Sequence, residues 1–299
     1  MCYILYLVVD TVTLTNERIK KMKKTVALIL VLITLVSVSG CGILHLDNKD
    51  PSANDETGAN NQSNSEPDKS TQIEGTGFDS PEDAVTSYVT FLKAGDVDSA
   101  ISTFAVESYV KNISVVEFYN DYRVFSPGTG YPLGSCDSTS SGLSVYRRQS
   151  AVTDEISRIY LYFQIKDTEY EERYSQAGML QLRDDSSVEG FVSSVLNKPS
   201  PLSSIRINNT IAADGIIYTQ IYESYDDYTA RIKELALIIG AQEIKDVFCE
   251  MEIEGSTYWL AMETAKYNGK WYNVSTSSTA SMFYGSTVVA NAGIIPLDK

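Results

Sequence analysis

Histidine is almost missing from this chain of 299 residues, and cysteine is rare. The one histidine is His45, which lies just before a polar stretch near the start, and there are four cysteines. A folded part without histidine excludes Ser-His-Asp and Cys-His catalysis and histidine-bearing zinc sites. The CxxC, GxGxxG, P-loop and GxSxG motifs are also absent, which removes the common redox, nucleotide and hydrolase patterns. We therefore predict neither a cofactor nor a metal ion.

Basic residues are scarce as well. The chain has 24 Lys and Arg against 39 Asp and Glu, a formal net charge of −15. Because a protein that neutralises phosphates needs a basic surface, we predict no nucleic-acid partner. The acidic runs at 167–172 and 184–187 lack the spacing of an EF-hand and are typical of a solvated surface.

An apolar segment near the start predicts export. Four lysines at positions 20, 21, 23 and 24 precede an apolar run at 26–38. The run is shorter than the roughly 20 residues of a membrane span and has the length of the apolar region of a signal peptide. The four residues 38–41, Val-Ser-Gly-Cys, resemble the lipobox of bacterial lipoproteins. The resemblance implies that Cys41 receives a diacylglycerol and becomes the first residue after cleavage. An uncleaved single-span anchor and a signal peptide cut nearby are the alternatives.

The segments before the folded part follow from this motif. Met22 with two lysines after it is a typical signal-peptide start, so we interpret 1–21 as a start-site overrun and 22–40 as the signal peptide. Residues 41–77 contain the lipidated cysteine and an acidic tether whose composition cannot bury enough surface to offset its ordering entropy. We expect residues 78–299 to form an α+β domain on the extracytoplasmic side of the cell membrane, held there by the lipid anchor.

The two ends of this domain carry the clearest structural signals. Ser80 followed by Pro81 predicts a helix that ends at Gly95, and Asp96 caps a second helix. Near the other end, alternating apolar residues predict strands at 247–253, 258–267 and 270–276, the last two joined by the hairpin dipeptide Asn268-Gly269. Between these ends we predict a strand at 159–165 and a helix at 228–239.

Residues 80–104 and 268–274 resemble the opening helix pair and the last hairpin of the nuclear transport factor 2-like superfamily, whose members include cystatin-like cone domains. The resemblance implies an α+β fold in which an N-terminal helix pair packs on a curved antiparallel sheet, which forms a cone around a pocket. The chain is longer than such cones, and we expect an insertion or a second subdomain within 110–245.

The final hairpin predicts a binding site. A two-residue turn at 268–269 pairs Tyr267 with Lys270, Ala265 with Tyr272 and Glu263 with Val274. One side of the hairpin then carries Trp259, Glu263 and Tyr272. In ketosteroid isomerase-like members of the superfamily, acids and tyrosines line the cone, so the resemblance implies a ligand pocket at these three residues with a raised pKa for Glu263. The alternative is that Trp271 and Met262 face the helices and Glu263 faces water.

Two cysteines remain in the predicted domain. Cys136 and Cys249 lie 113 residues apart in the sequence. A disulfide between them is compatible with an extracytoplasmic location. Cys249 falls on the apolar side of its predicted strand, so a buried free thiol is the alternative.

These observations leave three classes of function open. The first is a membrane-anchored, non-enzymatic lipoprotein that binds a small molecule, an envelope polymer or an envelope protein. The second is an enzyme that uses carboxylates and tyrosines in a cone pocket, which would need an acid with a strongly shifted pKa. The third is an assembly or scaffold protein that uses the face of the sheet as an interface. An enclosed apolar pocket would favour the first two, and a filled interior with an exposed apolar patch would favour the third.

Overall fold

The computed structural model describes residues 72–125, 131–134, 136–177, 180–213, 225–276, 278–284 and 292–297. The predictions for Cys41, the signal peptide and the tether up to residue 71 lie outside the described residues. Among those described, no helix combines the length and the apolar character that crossing a bilayer requires.

Most of the helices precede the strands along the chain, which is an α+β order. The helices are α1 (Pro81–Ala94), α2 (Val97–Ser102), α3 (Glu107–Asn112), α4 (Val115–Tyr122), α5 (Ser138–Ile165), α6 (Glu171–Ala177), α7 (Asp185–Phe191), α8 (Tyr225–Ile239) and α9 (Thr279–Phe283). The strands are β1 (Arg206–Ala212), β2 (Glu243–Ile253), β3 (Ser256–Tyr267), β4 (Lys270–Ser275) and β5 (Ile294–Pro296). A π-helical turn (Val192–Leu196) follows α7, and a 3-10 turn (Pro201–Ser204) precedes β1.

The first helix pair forms as the sequence predicts. The Ser80 hydroxyl accepts a hydrogen bond from the Asp83 amide, and Gly95 ends α1 in the left-handed region at φ 70°. The Asp96 carboxylate then caps α2 by accepting from the Ser99 amide at 3.1 Å. Both ends of α1 therefore have the local chemistry that a helix boundary needs.

The sheet is antiparallel and curved, with the order β1-β2-β3-β4 and with β5 beside β3. The register shifts between Ile207 and Asn209 in β1 and between Glu263 and Thr264 in β3. Such bulges bend a strand and change the direction of the side chains next to them. The second bulge lies at the centre of the predicted site.

The prediction of a strand at 159–165 is wrong. These residues form the last turns of α5, a helix of 28 residues. The enrichment in Ile, Tyr and Phe suggested a strand, but the buried residues Val152, Ile156, Ile159 and Phe163 recur at spacings of four, three and four. That is the period of one helix face, and this face packs into the main core with α1 and the sheet.

The boundary of the folded part also needs correction. Residues 72–77, assigned above to the tether, pack on the fold. The Glu74 carboxylate accepts hydrogen bonds from the Val106 and Ser108 amides at 2.9 and 2.8 Å, where α3 begins without a side-chain cap of its own. The Glu107 carboxylate in turn accepts from the Ile73 and Glu74 amides. A buried acid thus caps α3 from outside, which composition alone does not reveal.

Helices cover both faces of the sheet. On one face, α1, α2 and α5 pack on the alternate residues of β2 and β3, including Val247 and Leu260. On the other face, α4 and α8 pack with Ile244 and Ala265, and α9 with Phe248. Phe248 is therefore 1% exposed, although its side of the strand also carries Glu250 and Glu252.

Much of the middle of the chain belongs to the main fold. Within 110–245, where we expected an insertion, α5 and α8 supply residues to the apolar clusters on the two faces, and β1 extends the sheet. Residues 165–196 instead form a small separate cluster around Ile165, Tyr170 and Val195.

Candidate functional site

The final hairpin has two of its three predicted residue pairs. Tyr267 lies opposite Lys270 and Ala265 opposite Tyr272, but Glu263 lies opposite Ser275 and not Val274. The third pair is wrong because the bulge at Glu263 and Thr264 adds one residue to the β4 side. Neither turn composition nor strand periodicity signals such a bulge.

The three predicted ligand residues share one face of the sheet, but they lie in different surroundings. Trp259 is four residues from Glu263, or about 13 Å along the strand, and its ring packs with those of Phe248 and Tyr284 at 5.2 and 5.5 Å. Tyr272 lies beside Tyr267, with a ring-centre distance of 6.5 Å. Four cavities among the described residues are lined by other side chains.

Glu263 belongs instead to a buried pair of carboxyl groups. Asp246 of β2 lies directly opposite it, and the two residues are 1% and 7% exposed. Opposed residues on one face of an antiparallel sheet have Cβ atoms about 5 Å apart, so two negative charges at these positions repel each other. Asp246 precedes the alternating run that predicts β2, so the strand pattern does not single it out.

This setting changes the protonation of Glu263. Burial raises the pKa of its carboxyl to about 8, with further raising contributions from Asp246 and Glu155, while Arg148 and Arg231 oppose them. At neutral pH the group therefore carries a proton. The predicted direction of the shift agrees with this, but the main partners are acids on other elements and not the aromatic residues of the hairpin.

Asp246 is part of the structural framework. Its Oδ2 accepts a hydrogen bond from the Ala280 amide in α9 at 2.5 Å, and its backbone carbonyl accepts from the Ala213 amide at 2.7 Å. The residue thereby links β2 to α9 and to the residue that follows β1. A charge-assisted hydrogen bond to a backbone amide is one of the stronger kinds in proteins.

Helix α5 brings Glu155 and Arg148 to the same region. They are seven residues apart, two turns of the helix, so both lie on the same face. Glu155 Oε2 accepts from the Thr276 amide at 2.6 Å, and burial raises the pKa of its carboxyl. The Arg148 guanidinium donates through Nε to the Ala105 carbonyl at 3.1 Å and through Nη2 to the Val274 carbonyl at 2.5 Å. Two side chains of α5 are therefore hydrogen-bonded to main-chain groups at the end of β4.

Arg148 also forms part of the wall of a small cavity. Its guanidinium carbon lies 4.3 Å from the centre of the Tyr109 ring, a cation–π contact. The cavity has a volume of about 50 Å³ and is formed by α3, α5 and the segment 131–133. Its lining residues are Tyr109, Val110, Ile113, Tyr131, Pro132, Leu133, Ser144, Arg147, Arg148 and Ala151. We call it the Arg148 cavity.

The described residues contain no group of three or more His, Cys, Asp or Glu placed to hold a metal ion. The buried acids take part in hydrogen bonds and proton binding. Glu263 can give or take a proton near neutral pH, while Asp246 and Glu155 each hold a backbone amide.

The two cysteines of the folded part are free thiols in the structure, so the disulfide that was one of the two predictions is not formed there. Cys136 is exposed beside the Asp137 cap of α5, whereas Cys249 is buried in β2 and accepts a hydrogen bond from the Thr210 hydroxyl at 3.6 Å. Burial raises the pKa of the Cys249 thiol to about 11.

We expect these two thiols to react very differently, because the thiolate is the reactive form and Cys249 is both buried and protonated. In the folded protein, iodoacetamide should label Cys136 within minutes and leave Cys249 unlabelled, as read by peptide mass spectrometry. Urea should make both react, which is the control for Cys249. A folded protein that resists labelling at both positions until a reductant is added would instead indicate a disulfide.

No family model matches this chain, and no curated protein matches it. Among solved structures, the crystal structure of a cystatin-like protein from Ruminococcus gnavus is similar, with a TM-score of 0.47 and 13% sequence identity. The match covers 73% of this chain and 45% of the other, so the chain spans less than half the length of that structure. The α+β class stated above rests on the sheet and helices themselves.

Proposed function

We propose that this chain is a lipid-anchored lipoprotein of the cell envelope whose folded part is a binding domain and not an enzyme. In this proposal the diacylglyceryl group on Cys41 holds the domain at the membrane, and the domain has the nuclear transport factor 2-like cone arrangement. Its binding site is the Arg148 cavity, and its ligand is a small molecule or a group carried by an envelope polymer or protein.

The state of the buried polar groups is the observation that carries this proposal. Glu155 and Asp246 are each hydrogen-bonded to a backbone amide, and Glu263 is buried at 7% exposure. Proton transfer to a substrate needs a side chain within hydrogen-bond reach of the reacting group. The Arg148 cavity, in contrast, opens beside a charged group and two tyrosines, which is the usual pattern of a binding site.

A carboxylate enzyme is the second candidate. The pKa of about 8 for the Glu263 carboxyl favours it, because a general acid works best when its pKa is near the operating pH. In an enzyme of this kind, a substrate would have to pass Arg148 and Tyr109 to reach Glu263. Both residues interact electrostatically with Glu263: the Arg148 charge lowers the pKa of the Glu263 carboxyl, and Glu263 raises the pKa of Tyr109.

The anchor has a direct test. Cys41→Ser should move the protein from the membrane fraction to the soluble fraction, because two acyl chains are needed for stable anchoring and this substitution removes their attachment atom. The intact mass of the membrane-extracted wild-type protein should show a diacylglyceryl group on an N-terminal cysteine. Cys136→Ser is the matched control and should stay in the membrane fraction. Wild-type protein without added lipid mass would contradict the proposal.

The binding function is tested on the detergent-extracted protein by native mass spectrometry. A small molecule that co-purifies with wild type and is lost in a variant that fills the Arg148 cavity supports binding. A protein that instead turns over a substrate, with activity abolished by Glu263→Gln, would support the enzyme.

A further inference from the structure

The guanidinium of Arg148 is fixed in place before any ligand arrives. Nε and Nη2 donate to the carbonyls of Ala105 and Val274, on two different segments, and the central carbon lies over the Tyr109 ring, 4.3 Å from its centre. A side chain held at three points loses little further freedom when it binds something. Such preorganisation is what distinguishes a receptor group from a flexible surface arginine.

Part of this guanidinium is still available for hydrogen bonding. A guanidinium has five N–H donors, and the bonds to Ala105 and Val274 use two of them. Within the described residues, the other N–H groups of Arg148 have no acceptor. Because Arg148 is also a wall of the cavity, a ligand there lies beside a guanidinium whose position is already set.

The charges around Arg148 also favour the binding of an anion. Two acids act on it, Glu155 from α5 and Glu263 from β3. Burial raises the pKa of both carboxyl groups, and that of Glu263 to about 8. At neutral pH Glu263 is therefore mostly protonated and does not balance the positive charge of Arg148.

We propose that the Arg148 cavity binds the carboxylate of a small ligand, with the available N–H groups of Arg148 donating to the carboxylate oxygens. This proposal rests on the binding function proposed above and names the chemistry of the group bound there.

The shape and the remaining lining support a carboxylate on an apolar or aromatic body. A planar guanidinium edge matches the two oxygens of a carboxylate. A volume of about 50 Å³ has room for a group of this size, since one water needs roughly 10–15 Å³ by the same kind of measure. Around Arg148 the walls are mainly the rings of Tyr109 and Tyr131 and the aliphatic Val110, Ile113 and Leu133. An apolar body would pack on them where it leaves the cavity.

The experiment uses the full-length, detergent-extracted protein and three probes at constant ionic strength: benzoate, benzyl alcohol and inorganic phosphate. Binding is measured by isothermal titration calorimetry at pH 7. We expect benzoate to bind, and benzyl alcohol, which has the same ring without the charge, to bind at least tenfold more weakly. Phosphate should also bind at least tenfold more weakly than benzoate, because it lacks the planar pair of oxygens and an apolar body.

Two variants separate binding from folding. Ala151→Leu fills the cavity from the wall of α5 and does not alter Arg148, so it should weaken benzoate binding at least tenfold while leaving thermal stability near that of wild type. Ser150→Leu is the matched control, because Ser150 is exposed on the same helix and does not line the cavity; it should bind benzoate as wild type does. Arg148→Lys keeps the charge but not the planar edge and should also weaken binding.

The outcomes distinguish this inference from the proposed function. Equal binding of benzyl alcohol and benzoate, or preference for phosphate, would overturn the carboxylate inference but leave a binding site in the cavity. Benzoate binding that survives Ala151→Leu would place the ligand elsewhere and overturn it as well. If no probe binds while a co-purified molecule is lost on Ala151→Leu, the binding function stands and the ligand is not a simple carboxylate. If neither is seen, both fail.

Discussion

Glu263→Gln is expected to raise the free energy of unfolding at neutral and alkaline pH and to leave it almost unchanged near pH 4.5. The reason is the opposed pair formed with Asp246, in which both side chains are buried. A glutamine at this position has nearly the same shape, carries no charge, and can donate its amide N–H to Asp246. The substitution therefore removes the free-energy cost of keeping this carboxyl protonated below its folded pKa, and the repulsion between two charges above it, while keeping the packing.

The direction of the pH effect follows from the pKa. Burial and the neighbouring acids raise the pKa of the Glu263 carboxyl from 4.5 to about 8. Below pH 4.5 this group is protonated in both the folded and the unfolded chain, so it does not make the free energy of unfolding depend on pH. Between pH 4.5 and 8 the folded state holds the proton and the unfolded state does not. Stability therefore falls as the pH rises, by up to about 1.4 kcal/mol per pH unit, and levels off above the folded pKa.

Thermal unfolding of wild type and Glu263→Gln between pH 4.5 and 9 measures this directly. The difference between the two melting temperatures should be near zero at the acid end and grow with pH, at roughly 2–4 °C for each kcal/mol in a domain of this size. Glu254→Gln is the control, because it removes the same formal charge at an exposed position in the turn between β2 and β3. A constant offset across the pH range would show that Glu263 does not change its protonation in this window.

The sequence predicts well the elements whose boundaries depend on a few neighbouring residues. Ser80 and Gly95 define α1, and Asn268-Gly269 defines the hairpin, because capping and turn formation are local. The α+β class follows from the order of these elements. The last turns of α5 were misassigned because Ile, Tyr and Phe favour strands in general, whereas here the packing partners on α1 and the sheet decide the structure.

The candidate site is harder to predict, because its residues come from distant parts of the chain. Glu263 was identified from the alternation in its strand, but its partner Asp246 is 17 positions away and Glu155 is 108 positions away. Arg148 and Glu155 share a helix face only if 148–155 is helical, and the sequence pattern predicts no helix there. The bulge that moves Glu263 opposite Ser275 likewise depends on the rest of the sheet.

Gly293→Ala is expected to destabilise the protein by about 3 kcal/mol or more. Gly293 has φ +81°, where a side chain is disfavoured by roughly 1–2 kcal/mol. In addition, a Cβ at this position would overlap the carbonyl oxygen of Thr276, and the glycine carbonyl accepts a hydrogen bond from the Ala261 amide at 2.9 Å. The main chain has no room to relax without breaking that bond or moving Thr276.

The same change should disturb the site as well as the fold, because the Thr276 amide donates to Glu155. Chemical denaturation should show a lower midpoint, and the pH dependence of stability expected for Glu263 should become weaker if the acids are no longer held together.

Gly142→Ala is the control: this glycine lies inside α5, with open space around the position of a Cβ. Alanine favours a helix over glycine by about 0.5–1 kcal/mol, so this variant should be as stable as wild type or slightly more so. If Gly293→Ala and Gly142→Ala change the stability equally, the close contact between Gly293 and Thr276 does not hold the end of β4 beside Glu155.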